Sequence, residues 1–318
     1  MKRNIRLLLN VLIFLLILAF VWYMARSLGN DKPLFGSISI SGEPSQYKKN
    51  NSFKTKAEII SFDLFDNHIF IAAGQSVMIY NKIGTLLKEI PVGKEIRDIK
   101  VTDNLLYLLY PAEIEIFSLE GVKVKGWQAR RPNSDFCSLV LSSEYIFVTD
   151  AGNKNICKYT KEGDFMAIIL SPNGFIIPSY SFDIINIGDT LYCSNSGRHL
   201  IESYSLAGEY ITSFGKSGNE AGAFPGCCNP AFLATSHQGE ILTSEKGIPR
   251  ISCFSRDGRF RAILLNSKSL GGGTKAYRLK IQNEKLYIAG KNTISEYIYD
   301  PQNASACASC PTPCTLNK

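Results

Sequence analysis

The chain has 318 residues, of which 45% are hydrophobic and 20% charged, a composition that is ordinary for a globular protein. Its formal net charge is +7, but the first 35 residues carry +4, which leaves +3 on a remainder whose 30 basic and 27 acidic residues are interspersed. No basic run or stripe occurs in the sequence, which argues against nucleic-acid binding.

The N-terminus contains a targeting signal. An apolar run at residues 7–25 is interrupted only by Asn10 and follows Lys2, Arg3 and Arg6. Nineteen helical residues at about 1.5 Å each would cross the hydrocarbon core of a bilayer. Because positive charge precedes the run, we expect the N-terminus to be cytoplasmic and the rest of the chain to be exported. The sequence therefore predicts a single-pass signal-anchor at residues 1–26.

A cleaved signal peptide is the alternative to this anchor. Signal peptides have an apolar region of about 7 to 15 residues and a small-residue cleavage site. The run here is longer, it ends in Trp22 and Tyr23, and Ala25-Arg26-Ser27 is a poor cleavage site. These features favour an uncleaved anchor, followed by a linker at residues 27–35.

The rest of the chain repeats one pattern, in which a β-type run ends in an aromatic residue and a turn follows four residues later. Glycine takes the turn position in five repeats and Pro301 takes it in the sixth. The six aromatic residues are separated by 37, 42, 45, 50 and 43 residues and are Tyr80, Phe117, Tyr159, Tyr204, Phe254 and Tyr297. Periods of this length with strand patterning predict an all-β fold, a six-bladed β-propeller.

The middle repeats resemble the NHL family of six-bladed propellers. The resemblance is carried by "TDAGNKNICKYTKEGDF" (149–165), "SNSGRHLIESYSLAGEYITSFGKSGNEAGAF" (194–224) and "NPAFLATSHQGEILTSEKGIPRISCFSRDGRF" (229–260). It implies an NHL-like propeller over residues 36–300, followed by a cysteine-rich tail at 301–318. A propeller fold by itself does not specify a function, because unrelated activities share it.

Closure of the ring requires an outer strand for the sixth blade. Residues 36–42, "GSISISG", alternate with period two and could join the two ends of the chain. The tail after Pro301 is the other donor, but it is rich in small residues and interrupted by proline. The N-terminal strand is therefore the favoured donor.

The loops that follow the second strand of each blade lie on one face and supply candidate site residues. We expect this face to bind a protein or another envelope component, or a ligand, at the mouth of the channel. The candidates are Asp150, Asn195, Arg198, His199, Glu245, Lys246 and Arg250. The alternative is that these polar side chains only cap the turns in which they lie.

Catalytic machinery is not evident in the sequence, and no catalytic residue is assigned. The three histidines, His68, His199 and His237, fall on opposite faces of the predicted propeller and cannot converge on one zinc ion. Asp150 and Glu245 are the only channel carboxylates that the repeats indicate, which is few for a calcium site. A hydrolase or lyase acting in the channel remains an alternative function.

Five of the nine cysteines lie outside predicted strands. Cys137, Cys157, Cys193 and Cys253 are expected to be buried core residues. The other five lie in a loop and in the "CASCPTPC" tail and are Cys227, Cys228, Cys307, Cys310 and Cys314. Structural disulfides, a metal or iron–sulfur cluster, and free thiols are all open for these five. A redox- or metal-linked accessory subunit is therefore a second alternative to a binding module.

Overall fold

The computed structural model describes residues 13–21 and 45–304. The chain divides into two compact units, Met1–Ser41 and Gly42–Lys318. In the first unit, residues 13–21 form helix α1, whose large apolar side chains are exposed.

The predicted membrane anchor falls only partly within the described residues. Within the ranges that the structure describes, no helix is both long enough and apolar enough to cross a membrane. The remainder of the apolar run 7–25, the linker 27–35 and the strand predicted at 36–42 lie outside the described residues.

The second unit consists of six four-stranded antiparallel sheets. An N-terminal strand, β1 (Tyr47–Lys54), precedes the first complete sheet. The first sheet consists of β2 (Ser61–Phe65), β3 (His68–Ala73), β4 (Ser76–Asn81) and β5 (Leu86–Pro91). The second consists of β6 (Asp98–Thr102), β7 (Leu105–Tyr110), β8 (Glu113–Ser118) and β9 (Lys123–Gln128). The third consists of β10 (Phe136–Leu141), β11 (Tyr145–Asp150), β12 (Asn155–Thr160) and β13 (Phe165–Ile169).

The remaining three sheets repeat the same order. The fourth consists of β14 (Ile184–Ile187), β15 (Thr190–Asn195), β16 (Leu200–Ser205) and β17 (Tyr210–Phe214). The fifth consists of β18 (Phe232–Thr235), β19 (Ile241–Glu245), β20 (Arg250–Phe254) and β21 (Phe260–Leu265). The sixth consists of β22 (Arg278–Gln282), β23 (Lys285–Ala289), β24 (Thr293–Tyr299) and β1. Helix α2 (Pro301–Ala304) and two 3₁₀ turns, Pro178–Tyr180 and Ser196–Arg198, complete the described elements.

The first strands of the six sheets form a closed ring. Each first strand contacts the first strands of the two neighbouring sheets, from β2 through β6, β10, β14 and β18 to β22 and back to β2. An apolar cluster fills each of the six gaps between neighbouring sheets. The fold is therefore a six-bladed β-propeller, as the repeat spacing predicts.

The N-terminal part of the chain closes the ring, but through a different strand from the one predicted. β1 pairs antiparallel with β24, with Tyr47 opposite Tyr299 and Lys54 opposite Thr293. β1 therefore occupies the outer position of the sixth blade, next to β24. The closing strand is β1 rather than the alternating segment 36–42.

The repeated aromatic and glycine residues explain how the blades stack. All six aromatic residues are buried, and the five turn glycines have positive φ angles. A Cβ atom added to Gly163 would lie 2.6 Å from the Trp127 ring, which belongs to the outer strand of the preceding blade. The same close approach places Gly84 against Phe53 of β1. Glycine is needed here for its backbone angle and for its lack of a side chain.

Candidate functional site

The carboxylates of the first strands connect one blade to the next. A first strand has no neighbour on its channel side, so its backbone amides need other acceptors. The N–H of Val101 donates to Asp63 Oδ2 at 2.9 Å, which joins the first and second blades. The N–H of Leu233 donates to Asp183 Oδ2 at 2.7 Å, which joins the fourth and fifth blades.

Asp98 is the centre of a buried polar belt, which we define as Ser61, Asp98, Ser138, Asp183 and Arg278. The Asp98 carboxylate accepts the Ser61 hydroxyl at 2.5 Å and lies 3.6 Å from Arg278 Nη1. The Ser138 hydroxyl lies between two carboxylates, 3.1 Å from Asp98 and 2.5 Å from Asp183. The belt therefore links side chains from the first, second, third, fourth and sixth blades.

The belt carboxylate at Asp98 is ionised despite its burial. Asp98 is 0% exposed, and burial alone would raise its pKa. Lys100, Arg278 and Lys280 outweigh burial, so the pKa of Asp98 is held well below its usual range. The ammonium of Lys100 lies 3.0 Å from Asp98 Oδ2. Asp98 therefore belongs to a satisfied charge network.

A cavity of about 390 Å³ occupies the channel next to the belt. It extends from Ser61 and Arg278 along the first strands to Thr102, Ser142 and Thr235. We call this space the channel cavity. Its volume lies within the range of about 300–1,000 Å³ that is usual for small-molecule sites.

Opposite walls of the channel cavity differ in polarity. In the strand register, one residue of each first strand lies at the same height along the channel. In the five blades that contribute to the belt, this residue is two positions after the belt residue. At this level the sixth, first and second blades contribute Lys280, Asp63 and Lys100, whereas the third, fourth and fifth contribute Val140, Ile185 and Ala234. The cavity is therefore charged on one side and apolar on the other.

The cavity lining as a whole has an excess of positive charge. Lys100, Lys161, Arg278 and Lys280 line the cavity, against two carboxylates. Burial lowers the pKa of Lys100, and the Asp98 carboxylate offsets only part of that effect. Burial also disfavours the ammonium of Lys280, but Asp63, 3.0 Å away, and Asp98 outweigh burial and raise its pKa.

One acceptor on the opposite side of the cavity has no partner within the described protein. Asn186 lines the cavity on the fourth blade, and its buried Oδ1 atom accepts no hydrogen bond. A buried acceptor without a partner costs free energy unless water or a ligand supplies a donor. The cavity therefore combines ammonium donors, an apolar wall and a separate acceptor.

Two of the predicted mouth residues cap turns. Asp150 Oδ1 accepts the N–H groups of Asp135 at 2.9 Å and Asn153 at 3.2 Å. Asn195 Oδ1 accepts the N–H of Ile176 at 2.9 Å. Both residues are 0% exposed, so their polar atoms act within the loops, as the alternative interpretation of the sequence expects.

Glu245 and Arg250 form a buried ion pair that also holds the backbone of a loop in place. Arg250 Nε lies 2.5 Å from Glu245 Oε2, and the two side chains are 3% and 0% exposed. The other guanidinium nitrogens donate to three carbonyl groups of the preceding loop, those of Asn219, Glu220 and Ala223. Burial raises the pKa of Glu245 more than Arg250 lowers it.

The remaining predicted mouth residues lie on the same loop face. Arg198 is exposed and donates to carbonyl groups of residues 173 and 174. The His199 ring is 2.6 Å from a carbonyl oxygen of the loop that carries the two adjacent cysteines. Lys246 Nζ lies 3.4 Å from the Ser181 hydroxyl. These side chains are brought together on one face, where each contacts a loop.

The described cysteines are all free thiols. Cys157, Cys193 and Cys253 are buried as predicted, and Cys137 is partly buried. Cys227 is exposed, and its Sγ atom is 3.1 Å from that of buried Cys228. Cys307, Cys310 and Cys314 lie outside the described residues. Within the described ranges, no group of three or more His, Cys, Asp or Glu side chains could hold a metal ion.

The channel residues were not among those predicted from the sequence. Asp150 and Glu245 were the carboxylates expected in the channel, whereas Asp63, Asp98 and Asp183 take that position. A signal was available, since "SFD", "DIK" and "RLK" place charges inside short strands that are otherwise apolar. Aligned by register, these charges fall at equivalent levels of the first strands.

Comparison with known proteins supports the fold but not a family. No family model matches the chain, and none of the curated proteins matches it. Solved structures with a similar fold are numerous, with 978 matching chains, so the fold alone does not select a function.

Several similar structures illustrate this range. Virginiamycin B lyase from Staphylococcus aureus has a TM-score of 0.54 and 13% identity, covering 79% of this chain and 99% of that one. A protein of unknown function from Bacteroides thetaiotaomicron has a TM-score of 0.55 and 11% identity, covering 81% of this chain and 74% of that one. A chain of the Mitotic Checkpoint Complex has a TM-score of 0.55 and 8% identity, covering 85% of this chain and 97% of that one.

Proposed function

We propose that this protein is a binding module that takes a small organic anion into the channel cavity. The observation that carries the proposal is the division of the cavity wall into a charged side, on which Lys100 and Lys280 flank Asp63, and an apolar side with Val140, Ile185 and Ala234. Such a wall suits a ligand with an acidic group at one end and an apolar body at the other.

The hydrogen bonding of the wall favours an anion over a cation. The carboxylates of Asp63 and Asp183 already accept backbone amides. The Lys100 ammonium donates to Asp98, and a lysine ammonium has three donors, so it has capacity for a ligand. Donors in a desolvated site bind a carboxylate more strongly than a neutral oxygen.

A matched set of probes tests this function. We expect the full-length protein in detergent to bind phenylbutyrate, as measured by calorimetry, and to bind phenylbutanol and phenylbutylamine more weakly. Lys280→Met removes a charge-assisted hydrogen bond worth about 1.5–3 kcal/mol and should weaken phenylbutyrate binding about tenfold or more. Lys56→Met is the control, because Lys56 is exposed, pairs with Glu89 and is not part of the cavity.

A second variant tests the site independently, in case Lys280→Met does not fold. Val140→Asp places a carboxylate on the apolar wall and should weaken phenylbutyrate binding while leaving phenylbutylamine unaffected or improved. Thermal unfolding of each variant confirms that it is folded. Absence of binding by all three probes would contradict the proposed site, and equal binding of the three would contradict the anion preference.

We also propose that the propeller is tethered to a membrane by residues 1–26 and lies on the exported side. The support is the apolar run with preceding positive charge. In this arrangement the loop face with Arg198, His199 and Lys246 is available to a protein or envelope component. Protease treatment of cells whose outer envelope is permeabilised and whose cytoplasmic membrane is intact should digest the propeller, and deletion of residues 1–26 should abolish its recovery in the membrane fraction. Protection of the propeller in such cells would refute the export.

A lyase is the second candidate that the similar structures suggest. One of them is a catalytically inactive variant of virginiamycin B lyase from Staphylococcus aureus with Quinupristin, at a TM-score of 0.56 and 13% identity. Among the described residues, no histidine lines the channel cavity of this chain. The cavity therefore supports binding better than a lyase reaction. We expect incubation of the protein with Quinupristin to leave that compound unchanged.

Membership of the NHL repeats is proposed on the sequence pattern alone. A metal- or redox-linked accessory role that uses the tail cysteines is a further alternative. Metal analysis of the purified full-length protein, with and without reductant, tests that role.

A further inference from the structure

The loop with Cys227 and Cys228 presents two thiols of unequal accessibility. Their Sγ atoms are 3.1 Å apart, and Cys227 is exposed whereas Cys228 is only 2% exposed. The outer thiol can meet a solute, and the inner thiol can meet only what the outer one has captured.

The loop is held in a defined position at both ends. Asn229 is 0% exposed and donates to the carbonyl groups of Pro225 at 2.5 Å and Lys246 at 2.8 Å. Its Oδ1 atom accepts the Lys246 N–H at 2.9 Å. On the other side of the pair, the His199 ring lies 2.6 Å from the Gly226 carbonyl oxygen. These contacts fix the two thiols relative to the propeller.

The inner thiol lies in an electropositive environment. Burial would raise the pKa of Cys228, but the neighbouring Lys246 ammonium, the Cys227 thiol and the Ser179 hydroxyl outweigh burial and lower it. Burial has the opposite outcome at Cys157, where it raises the thiol pKa to about 12. A thiol of lowered pKa next to an exposed thiol is the arrangement of reactive rather than structural cysteines.

The backbone beside the pair is strained. Ser179 and Tyr180 are consecutive non-glycine residues with φ angles of 58° and 55°, in the left-handed region. Such strain tends to occur at functional sites, and here it coincides with the hydroxyl that stabilises Cys228.

We propose that Cys227 and Cys228 form a thiol–disulfide exchange site for an external disulfide, independent of the channel cavity. In the first step Cys227 Sγ attacks one sulfur of the external disulfide R–S–S–R and transfers its proton to Cys228, which enters this step in its thiolate form. The external S–S bond breaks, a mixed disulfide forms on Cys227, and one R–S⁻ group leaves and takes a proton from water.

In the second step Cys228 Sγ attacks Cys227 Sγ and expels the second R–S⁻ group, which takes the proton from the Cys228 thiol. The two thiols are oxidised by two electrons, and the external disulfide is reduced to two R–SH molecules. Adjacent α-carbons are about 3.8 Å apart, shorter than the 4.4–6.8 Å of ordinary disulfides, so the product is strained and easily reduced. The exchange is therefore readily reversible.

Hydroxyethyl disulfide is a suitable probe for the exchange. The test uses full-length protein in which Cys307, Cys310 and Cys314 are replaced by serine, with intact mass and peptide mapping as the readouts. We expect the parent to release both halves of the probe and to lose two hydrogens. Cys228→Ser should instead retain one hydroxyethylthio group on Cys227, and Cys227→Ser should react at least tenfold more slowly than the parent.

The charge of Lys246 supplies a second readout. Lys246→Met should slow the release of the second half of the probe about fivefold or more, because Cys228 must give up its proton to attack and loses the cation that lowers its pKa. Lys56→Met should not change it. A stable mixed disulfide on the parent protein, or equal reaction of the parent and Cys227→Ser, would overturn the proposal. Cys228→Ala replaces Cys228→Ser if the serine variant does not fold, as judged by thermal unfolding.

Discussion

Asp98 and Leu139 connect the second and third blades, since the carboxylate Oδ2 atom accepts the Leu139 backbone N–H at 3.1 Å. Asp63 makes the same kind of bond to Val101 of the next blade. A first strand that lines a channel cannot pair with another strand on its inner edge. The side chain of the preceding blade therefore takes the place of a strand partner. This explains why charged residues occur at the centre of the propeller.

Loss of the Asp98 charge is expected to destabilise the propeller. Asp98→Asn removes an acceptor and leaves Lys100 and Arg278 without their buried counter-charge, a change that costs about 3–5 kcal/mol when a buried pair is broken. Urea unfolding at neutral pH should show this loss in the free energy of unfolding. Asp66→Asn is the control, because Asp66 is exposed in a turn with a φ angle of 50°, which asparagine also adopts. Equal stability of the two variants would contradict the structural role of the belt.

Acid should lower the stability of the protein by protonating Asp98. The pKa of Asp98 in the folded state lies below its value in the unfolded chain. Its contribution to stability is therefore fully present above about pH 4, and it is lost as the pH falls through the lower, folded-state pKa. The parent and Asp66→Asn should lose stability from pH 5 to pH 3, and Asp98→Asn should lose less over that interval. If the free energy of unfolding falls equally with pH in all three proteins, Asp98 does not cause the loss of stability in acid.

The turn glycines allow backbone strain to be separated from a steric clash. Gly163 has a φ angle of 101° and would bring a Cβ atom within 2.6 Å of Trp127. Gly188 has a φ angle of 61°, but a Cβ atom there would meet nothing within 4 Å. Gly188→Ala should cost about 1–2 kcal/mol for the left-handed backbone, and Gly163→Ala should cost about 1–3 kcal/mol more for the overpacking. Chemical denaturation of the two variants measures the difference.

The sequence predicted the blades because their signals are local. An aromatic residue and a glycine four positions later specify a strand end and a turn, and these recur once per blade. The closing strand was predicted at the wrong residues for a physical reason. β1 is an outer strand with most side chains exposed, so its sequence, "YKKNNSFK", has no alternation. The alternating segment 36–42 gave a stronger pattern but lies outside the described residues.

The channel residues could not be assembled from local signals. Asp98 and Leu139 are 41 residues apart in the chain, and Asp183 and Leu233 are 50 apart. Only the closed ring brings them into contact. By contrast, Asp150 and Asn195 stood out in the sequence because loop residues in turn-like patterns are conspicuous, and in the structure they cap those turns.

The packing of β1 predicts how much this strand contributes to the closure of the ring. Phe53 of β1 packs against Gly84 and Tyr80, with ring centroids of Phe53 and Tyr80 5.5 Å apart. Phe53→Ala should lower the free energy of unfolding by about 3 kcal/mol, at the lower end for phenylalanine because the ring is only partly buried. Hydrogen exchange should accelerate most at the β24 amides that pair with β1. Unchanged exchange at the amides of Ile294 and Glu296, which face β1 in the register, would show that β1 is dispensable for closure.

Arg250 distinguishes a structural role of the loop face from a binding role. Its guanidinium holds the carbonyl groups of residues 219, 220 and 223 and neutralises Glu245, which is completely buried. Arg250→Ala should therefore reduce the free energy of unfolding by about 3–5 kcal/mol, because an uncompensated buried carboxylate remains. Arg198→Ala removes an exposed side chain that bonds to similar loop carbonyls, so it should cost less than about 1 kcal/mol. If both variants unfold at the parent's urea concentration, Arg250 does not support the loop, and a role in partner binding at that face becomes the better explanation of its position.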